Sequence, residues 1–420
     1  MSDTDTISLN DFLAEATEFL DANAKLRQTD KGFRWGEGSD AMGMFEESDR
    51  DDEVKQIAKA KEWRATRYDA GFGWIVGPPD LGGRGLPASY YRAYEGLESR
   101  YSLPDTSFYG IGLGMVAPTI LTHATDDVKE AYLPKMYRGD IFACQLFSEP
   151  GAGSDLAGLT MRADKDGDEW ILNGQKVWTS GAHYSDIGEV ICRSDWDQPK
   201  HRGLTGFVVD MHAPGVEVRP LRQMTGGAAF NEVFFTDVRV PDDHRLGDVN
   251  QGWTVALTTL MNERASIGAG TGGGSGMANG VRFIETVRHL GLADDRVVRD
   301  SLAKLYIGYQ VAKFSNQRSL AKIKSGQIPG PEMSISKMVL CNNLRATCDF
   351  VSLVLGPKLI ADTGEWGTYA WSQFVLSEPA MHIAGGSDET LRNIVGERVL
   401  GMPKEPGIDT TSPFRELRTN

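Results

Sequence analysis

The sequence predicts an α+β protein in three consecutive parts: an N-terminal helical domain over 1–140, a middle β-barrel-like domain over 141–245 and a C-terminal helical bundle over 246–420. Three observations predict it. Apolar residues recur at helical spacing before about residue 141 and again after about residue 250. Between them the pattern shortens to strand-length runs punctuated by Asp-Gly, Asn-Gly and Pro-Gly pairs. The two kinds of segment are segregated, with no βαβ repeat, which excludes a doubly wound parallel sheet.

In the first part, residues 8–28 carry a broad apolar stripe from Leu9, Phe12, Leu13, Phe19, Leu20 and Leu26. Residues 29–53 turn glycine-rich and then acidic, and read as a surface loop. A second helix covers 53–70. The run Gly77-Pro78-Pro79-Asp80-Leu81-Gly82-Gly83-Arg84-Gly85 is a turn-rich connection. Helices follow at 87–100, 112–123 and 126–137, the last opened by Asp126 and Asp127, where exposed N–H groups favour negative charge. The middle part has strand runs at 141–148, 158–165, 167–173, 187–193, 205–210, 215–219 and 231–240. Asp166-Gly167 and Asn173-Gly174 are its strongest hairpin signals. The last part has helical runs at 252–270, 275–290, 296–325, 331–356, 367–377 and 386–400. The run GAGTGGGSG (268–276) interrupts that pattern, since glycine is poor in helix interiors. A local break fits it, and so does a close approach to another helix or to a ligand that the glycines make room for.

The chain has 420 residues, enough for two or three domains with a well-buried core. Apolar residues are 40% and charged residues 24% of it, an ordinary globular balance. A net charge of −14 excludes the basic footprint of a nucleic-acid binder. It still admits an anionic small molecule held by a local basic patch. Cys144, Cys192, Cys341 and Cys348 form no CxxC pair and no Cys/His cluster, so reduced thiols and no metal are expected. The N-terminus, MSDTDTISLNDFL, lacks the basic and apolar runs of a signal peptide, and no 18-residue apolar span is evident. A cytoplasmic protein without stable membrane insertion is the expectation.

Four segments can carry chemistry. The turn Phe147-Ser148-Glu149-Pro150-Gly151-Ala152-Gly153-Ser154-Asp155 lets the backbone approach a flat or phosphorylated ligand and donate N–H groups to it. A hairpin that binds nothing fits the same residues. The strand Asn173-Gly174-Gln175-Lys176-Val177-Trp178-Thr179-Ser180-Gly181 places a tryptophan where it either stacks on a ring system or packs in a core. Asn262-Glu263-Arg264 puts a carboxylate beside a guanidinium on a helix, which is either a reactive site or a solvated pair. Gly385-Gly386-Ser387-Asp388-Glu389 is a loop before a helix, with Ser387 or Asp388 as its cap.

Taken together these segments resemble the acyl-CoA dehydrogenase family. SEPGAGSD (148–155), NGQKVWTSG (173–181), FNEVFFTDVRVP (230–241) and GGSDETLRNIVGERVLG (385–401) match its successive landmarks, and the domain order agrees. The resemblance implies FAD as cofactor, an acyl-CoA substrate and an electron-transfer flavoprotein as acceptor. It also implies assembly as a homodimer, homotetramer or heterotetramer with a sister subunit. The reaction would be α,β-dehydrogenation to the 2-enoyl-CoA, with the β-hydride passing to flavin N5.

Many members carry the α-proton base in the loop before the last large helix, where this chain has Gly385. The isovaleryl-type and long-chain-type members place it on a helix directly before an arginine, which here gives Glu263 and Arg264. The resemblance therefore implies Glu263 as base, Arg264 as an orienting neighbour, and the Gly385 N–H as a donor to the thioester carbonyl. Leu146, Phe147 and Ser148 would contact the flavin through backbone and hydroxyl. Trp178 would flank the ring, with Thr179 and Ser180 beside it, and Ser154 would meet the pantetheine.

Two landmarks depart from the pattern. Val287-Arg288-His289-Leu290-Gly291-Leu292 stands where relatives have Arg-x-Phe-Gly, and Leu353-Val354-Leu355-Gly356-Pro357 where they have Gln-x-x-Gly-Gly. Both touch the shared part of the FAD site and leave room for a distinct cofactor contact, or for a heteromeric assembly in which a sister chain completes the site, as in members acting on bulky or steroid-side-chain substrates. A flavin- or CoA-binding protein without turnover, and a flavin monooxygenase, are the further alternatives.

Overall fold

A computed structural model describes residues 7–27, 33–44, 50–268, 280–324, 330–331, 333–404, 409 and 411–417. Side chains of 264–268, 320, 322–324 and 333 fall outside that description. So do residues 269–276, the greater part of the glycine run expected to border a pocket.

The N-terminal layer is helical. Helix α1 (Leu9–Asn23) starts at Ser8, whose hydroxyl accepts the Asp11 N–H, and buries Phe12, Ala16 and Leu20 along one face. A two-residue ribbon pairs β1 (Lys25–Leu26) with β2 (Tyr101–Ser102). Helices α2 (Arg50–Asp69) and α3 (Ala88–Glu98) flank the turn-rich run at 77–85. There a Cβ at Gly83 would lie 2.1 Å from the Gly77 carbonyl oxygen, so only glycine fits. A π-helical turn (Gly112–Val116) runs into α4 (Ala117–His123). Helix α5 (Asp126–Arg138) is capped by Thr125 and ended by Gly139 at φ +91.

The middle part is one mixed sheet. Its strands are β3 (Ala143–Leu146), β4 (Arg162–Asp166), β5 (Glu169–Ser180), β6 (Ile187–Arg193), β7 (Leu204–Asp210), β8 (Val216–Leu221), β9 (Phe230–Pro241) and β10 (Arg245–Leu246). They run in the order β10-β7-β6-β4-β5-β9-β8, with β3 parallel to β6. The barrel-like expectation is wrong: the end strands β10 and β8 do not pair with each other, and the sheet stays open. The physical reason is legible in β8. Pro220 lacks an N–H, and Glu217 and Arg219 pair with each other on the exposed edge, which discourages a further strand. The sheet instead curls over a core that includes Leu146, Trp170, Leu172, Val190, Phe207, Val233 and Phe235. Its other face packs Ala143, Phe147, Ile187, Ile191 and Val208 against the helices.

Asp166-Gly167 forms the expected hairpin, joining β4 to β5 with Gly167 at φ +60. Asn173-Gly174 does not turn the chain. It continues β5 opposite a bulge in β9, where Thr236 and Asp237 face the single residue Asn173, which exchanges hydrogen bonds with the Asp237 backbone and side chain.

The C-terminal bundle comprises α6 (Gly252–Gly268), α7 (Gly280–His289), α8 (Arg296–Lys324), α9 (Met333–Leu355), α10 (Ser372–Met381) and α11 (Asp388–Ile394). Contrary to expectation, among the described residues one span, Ser334–Leu359, is long and apolar enough to cross a membrane. It packs Leu344, Phe350, Val351, Val354, Leu355 and Leu359 into the bundle core, so its apolarity is that of a central helix. The expected surface loop at 29–53 has no helix or strand over 33–44 and is mostly exposed there, but α2 already begins at Arg50 and the loop is anchored to the bundle. Met42 and Met44 are buried in the C-terminal core, Met42 N–H donates to Ala370 O, and Trp35 stacks on His289 at 4.1 Å.

Candidate functional site

The glycine turn after β3 is fixed from below by a buried ion pair. Glu149 and Ala152 exchange backbone hydrogen bonds, which closes a tight turn. The Glu149 carboxylate accepts the N–H groups of Thr160 (2.7 Å) and Met161 (3.0 Å), and Lys176 Nζ lies 2.8 Å from its Oε1. Burial opposes ionisation of Glu149, but Lys176 and the two N–H groups outweigh it and hold its pKa below the usual range. Lys176 is fully buried and spends its other donors on the carbonyls of Phe147 and Ile191. Above this anchor the turn is open. A Cβ at Gly151 or Gly153 would meet nothing within 4 Å, and neither glycine has a positive φ. Packing within the chain therefore does not explain them, whereas close approach of a ligand does.

The anchor also brings the turn and β5 together. Val177 N–H leaves the β5–β9 ladder and donates to Ser148 O at 2.9 Å. In the resulting bulge Trp178 takes φ +61 and stands 60% exposed, with its edge toward Phe230. A bulky residue in the left-handed region is an outlier, and an exposed indole there is better matched to a stacking ligand than to the core. Thr179, next along, is buried, and its Oγ1 has no protein partner. Its carbonyl accepts Asn231 Nδ2, which also reaches His183 Nδ1; His183 Nε2 in turn meets Glu53. Asn231 Oδ1 is likewise buried without a protein partner. Burial lowers the His183 pKa against the pull of Glu53. An exposed flat ring, an open turn and two unpartnered buried oxygens fit a planar, hydrogen-bonding cofactor such as a flavin.

The remaining predicted residues divide. The Leu146 and Phe147 side chains are core residues on opposite faces of the sheet, so only their backbone is available. Ser148 and Ser180 are half-buried, and Ser154 is exposed. Glu263 is half-buried on α6, which packs on the π-turn, α4, the sheet and α9. Arg264 follows it in the helix; its side chain lies outside the described residues. Gly385 is half-buried at φ +65, in a loop that ends at the cap of α11, where Ser387 accepts Thr390 N–H. Helix α9 packs on both α6 and α11, and so links the Glu263 helix to the Gly385 loop.

That loop is strapped by a network that the motif reading did not find. His382 Nδ1 lies 2.6 Å from Asp388 Oδ2 and its Nε2 lies 2.5 Å from Glu378 Oε1. Each ring nitrogen thus faces a carboxylate oxygen, and the imidazole ties α10 to the start of α11. Lys337 Nζ donates to Gly386 O at 2.9 Å, and Asp388 N–H donates to His382 O. Burial opposes ionisation of Asp388, but His382 and Lys337 outweigh it and keep its pKa low. The ligand atoms of Cys341, His382 and Asp388 lie within 4.8 Å of one another, a metal-like spacing; Lys337 already supplies positive charge there. The sequence signal was present in part, since Glu378 and His382 stand at i and i+4. The Glu149–Lys176 pair, 27 residues apart, gave no local signal.

Helical layer, open sheet with a ligand-ready turn, and helical bundle together define a flavoprotein dehydrogenase of the acyl-CoA dehydrogenase type. Family models for the acyl-CoA dehydrogenase N-terminal, middle and C-terminal domains match residues 43–140, 144–238 and 250–400. The chain is 34% identical over 357 residues to acyl-CoA dehydrogenase IpdE1 of Mycobacterium tuberculosis, covering 84% of this chain and 90% of that one. It is 40% identical over 290 residues to acyl-CoA dehydrogenase FadE34 of the same organism, a match to 69% of this chain but only 39% of that protein. The solved steroid ACAD Tcur3481-Tcur3483 superposes with a TM-score of 0.71 at 25% identity, over 96% of this chain and all of that one. The ChsE4-ChsE5 complex of Mycobacterium tuberculosis shares the fold, with a TM-score of 0.65 at 24% identity over 96% of this chain and all of that one. The chain belongs to the acyl-CoA dehydrogenase family, and is an FAD-dependent oxidoreductase of lipid metabolism.

Proposed function

We propose that this chain is a subunit of a heteromeric acyl-CoA dehydrogenase that oxidises a bulky acyl-CoA, of the kind a steroid side chain provides, with Glu263 as the base. The observation that carries the base assignment is the pairing of two positions. The loop at 385 holds a glycine with no proton acceptor, and a half-buried carboxylate stands at 263 on α6. Glu263 takes the α-proton, and Arg264 orients it. The Gly385 N–H, held by the His382 and Lys337 network, donates to the thioester carbonyl and stabilises the charge that develops there. Ser154 positions the pantetheine arm. A bound FAD would supply the acceptor for the β-hydride, with an electron-transfer flavoprotein as the onward acceptor. Ser148, Ser180, Thr179 and the backbone of Leu146 and Phe147 would hold its ring, and Trp178 would flank it.

Three features favour the heteromeric reading. Matching structures carry two-component names, the Tcur3481-Tcur3483 steroid ACAD and the ChsE4-ChsE5 complex. In the departed landmark, Arg288 pairs with Glu285 and His289 stacks on Trp35, so these side chains are engaged within the chain. Helix α8 also leaves Tyr306, Ile307, Val311 and Phe314 each more than half exposed, an apolar stripe suited to a second subunit.

Anaerobic flavin bleaching against a panel of acyl-CoAs tests the substrate class. Bulky ring-bearing acyl-CoAs should bleach the flavin, and straight short-chain ones should not. Fastest bleaching by butyryl-CoA would contradict the substrate class. A full complement of one FAD per chain with complete turnover by the chain alone would remove the heteromeric part.

A further inference from the structure

Glu189 is a carboxylic acid in the wrong kind of place. It sits in the middle of β6, fully buried, on the face of the sheet that carries Ile187, Ile191 and Val208 against the helices. Its register partners are Gln145 on β3 and Val208 on β7. Oε1 lies 2.6 Å from Thr259 Oγ1 on α6, and Oε2 has no protein partner. Thr259 Oγ1 is 2.9 Å from Thr119 Oγ1 on α4, and Thr119 donates to Met115 O in the π-helical turn at 2.9 Å. One side chain of the sheet is thus joined through two hydroxyls to α6, α4 and the π-turn. Thr259 stands one helical turn before Glu263.

Proton counting selects the neutral acid. Each hydroxyl has one proton to give. Thr259 Oγ1 also lies 3.2 Å from the Val255 carbonyl of its own helix. If Glu189 is protonated, it donates to Thr259, Thr259 is free to donate to Thr119 or to Val255 O, and Thr119 donates to Met115 O. If it is ionised, the buried anion has one donor at most, and Thr259 must turn its proton away from Thr119. We propose that neutral Glu189 is a positioning residue: it locks α6, and with it the Glu263 carboxylate, against the sheet, and its ionisation loosens that lock. The inference rests on Glu263 being the base.

No charged group competes for this role among the described residues. The π-turn and β3 carry no charged side chain, and α4 carries only His123, which bonds Thr258 Oγ1 at 2.8 Å. Helix α6 carries Glu263 and Arg264, and β7 has Asp210 at its far end. Cys144 and Cys192 lie on the opposite face of the sheet, and Arg193 at the end of β6 is bound to the carbonyls of Ala157 and Lys200. Burial, with the Thr259 hydrogen bond acting weakly against it, pushes the Glu189 pKa up to about 8. An unfolded glutamate ionises well below that. The folded state is therefore fully favoured at acid pH and loses this advantage as pH rises through about 8.

The test uses the FAD-loaded chain without substrate. Backbone hydrogen exchange of the α6 segment 252–263 is measured at about pH 7 and about pH 9.5, corrected for the chemical rate, in the parent and in Glu189→Gln. The amide stays neutral and can donate to Thr259. The parent should lose protection by roughly tenfold at the higher pH, and Glu189→Gln should keep it at both. Equal pH dependence in the two proteins would overturn the proposal. In parallel, the rate of flavin bleaching by the best acyl-CoA of the panel should fall on the alkaline side in the parent and not in Glu189→Gln. If the exchange result holds while bleaching is indifferent to Glu263→Gln, the lock stands and the base assignment fails instead.

Discussion

At the scale of single residues, Trp178 shows what the chain spends stability on. A non-glycine residue at φ +61 costs on the order of 1 kcal/mol, and exposing an indole forgoes its burial as well. Both costs make sense if a flat ring covers it. Trp178→Ala should weaken FAD binding by about tenfold, read from quenching of free flavin fluorescence, while Trp178→Phe retains most of the affinity. The unfolding midpoint should barely move, because little buried surface is lost. Parent-like FAD affinity in the alanine variant would remove Trp178 from the flavin site. The indole's presence was legible in the sequence, but its exposure was not: the bulge that turns it outward depends on Val177 pairing with Ser148.

At the scale of elements, the decisive pieces are the loop at 383–387 and the bulge in β5. The loop holds Gly385 and Gly386 at positive φ, a conformation set by His382, Lys337 and Asp388 beneath it. His382→Gln removes the ring that bridges Glu378 and Asp388. Stability should fall by about 2 kcal/mol in urea unfolding, the scale for leaving buried polar groups without their hydrogen-bond partner. Flavin bleaching should slow by roughly 100-fold with FAD content unchanged, since the carbonyl donor shifts while the flavin contacts do not. A variant that loses stability but bleaches at the parent rate would show that the network supports the fold alone. Element positions were largely readable. The run at 187–193 is β6 to the residue, and most helices fall within a few residues of their apolar patterns. Asn173-Gly174 misled because its meaning depends on the strand opposite: Asp237 takes the partner role that a turn would otherwise fill.

At the scale of the whole molecule, the three-part order was legible because each part has its own hydrophobic period. The closure of the sheet was not, since that is decided at its edges by residues such as Pro220 that say only where pairing stops. The long-range polar contacts were also hidden. Glu149 with Lys176 and Glu189 with Thr259 join elements that no local pattern connects. The candidate site was read from landmark segments, and the structure adds the scaffolding that holds them: the ion pair under the turn, the strap under the loop, and the acid under α6. The scaffold serves one event, removal of a proton by a carboxylate on α6. Rapid-mixing measurement of anaerobic flavin reduction in Glu263→Gln tests it most directly, with the best acyl-CoA of the panel. Bound FAD should be retained and its reduction slowed by at least about 1,000-fold; reduction at a rate comparable to the parent would contradict the account.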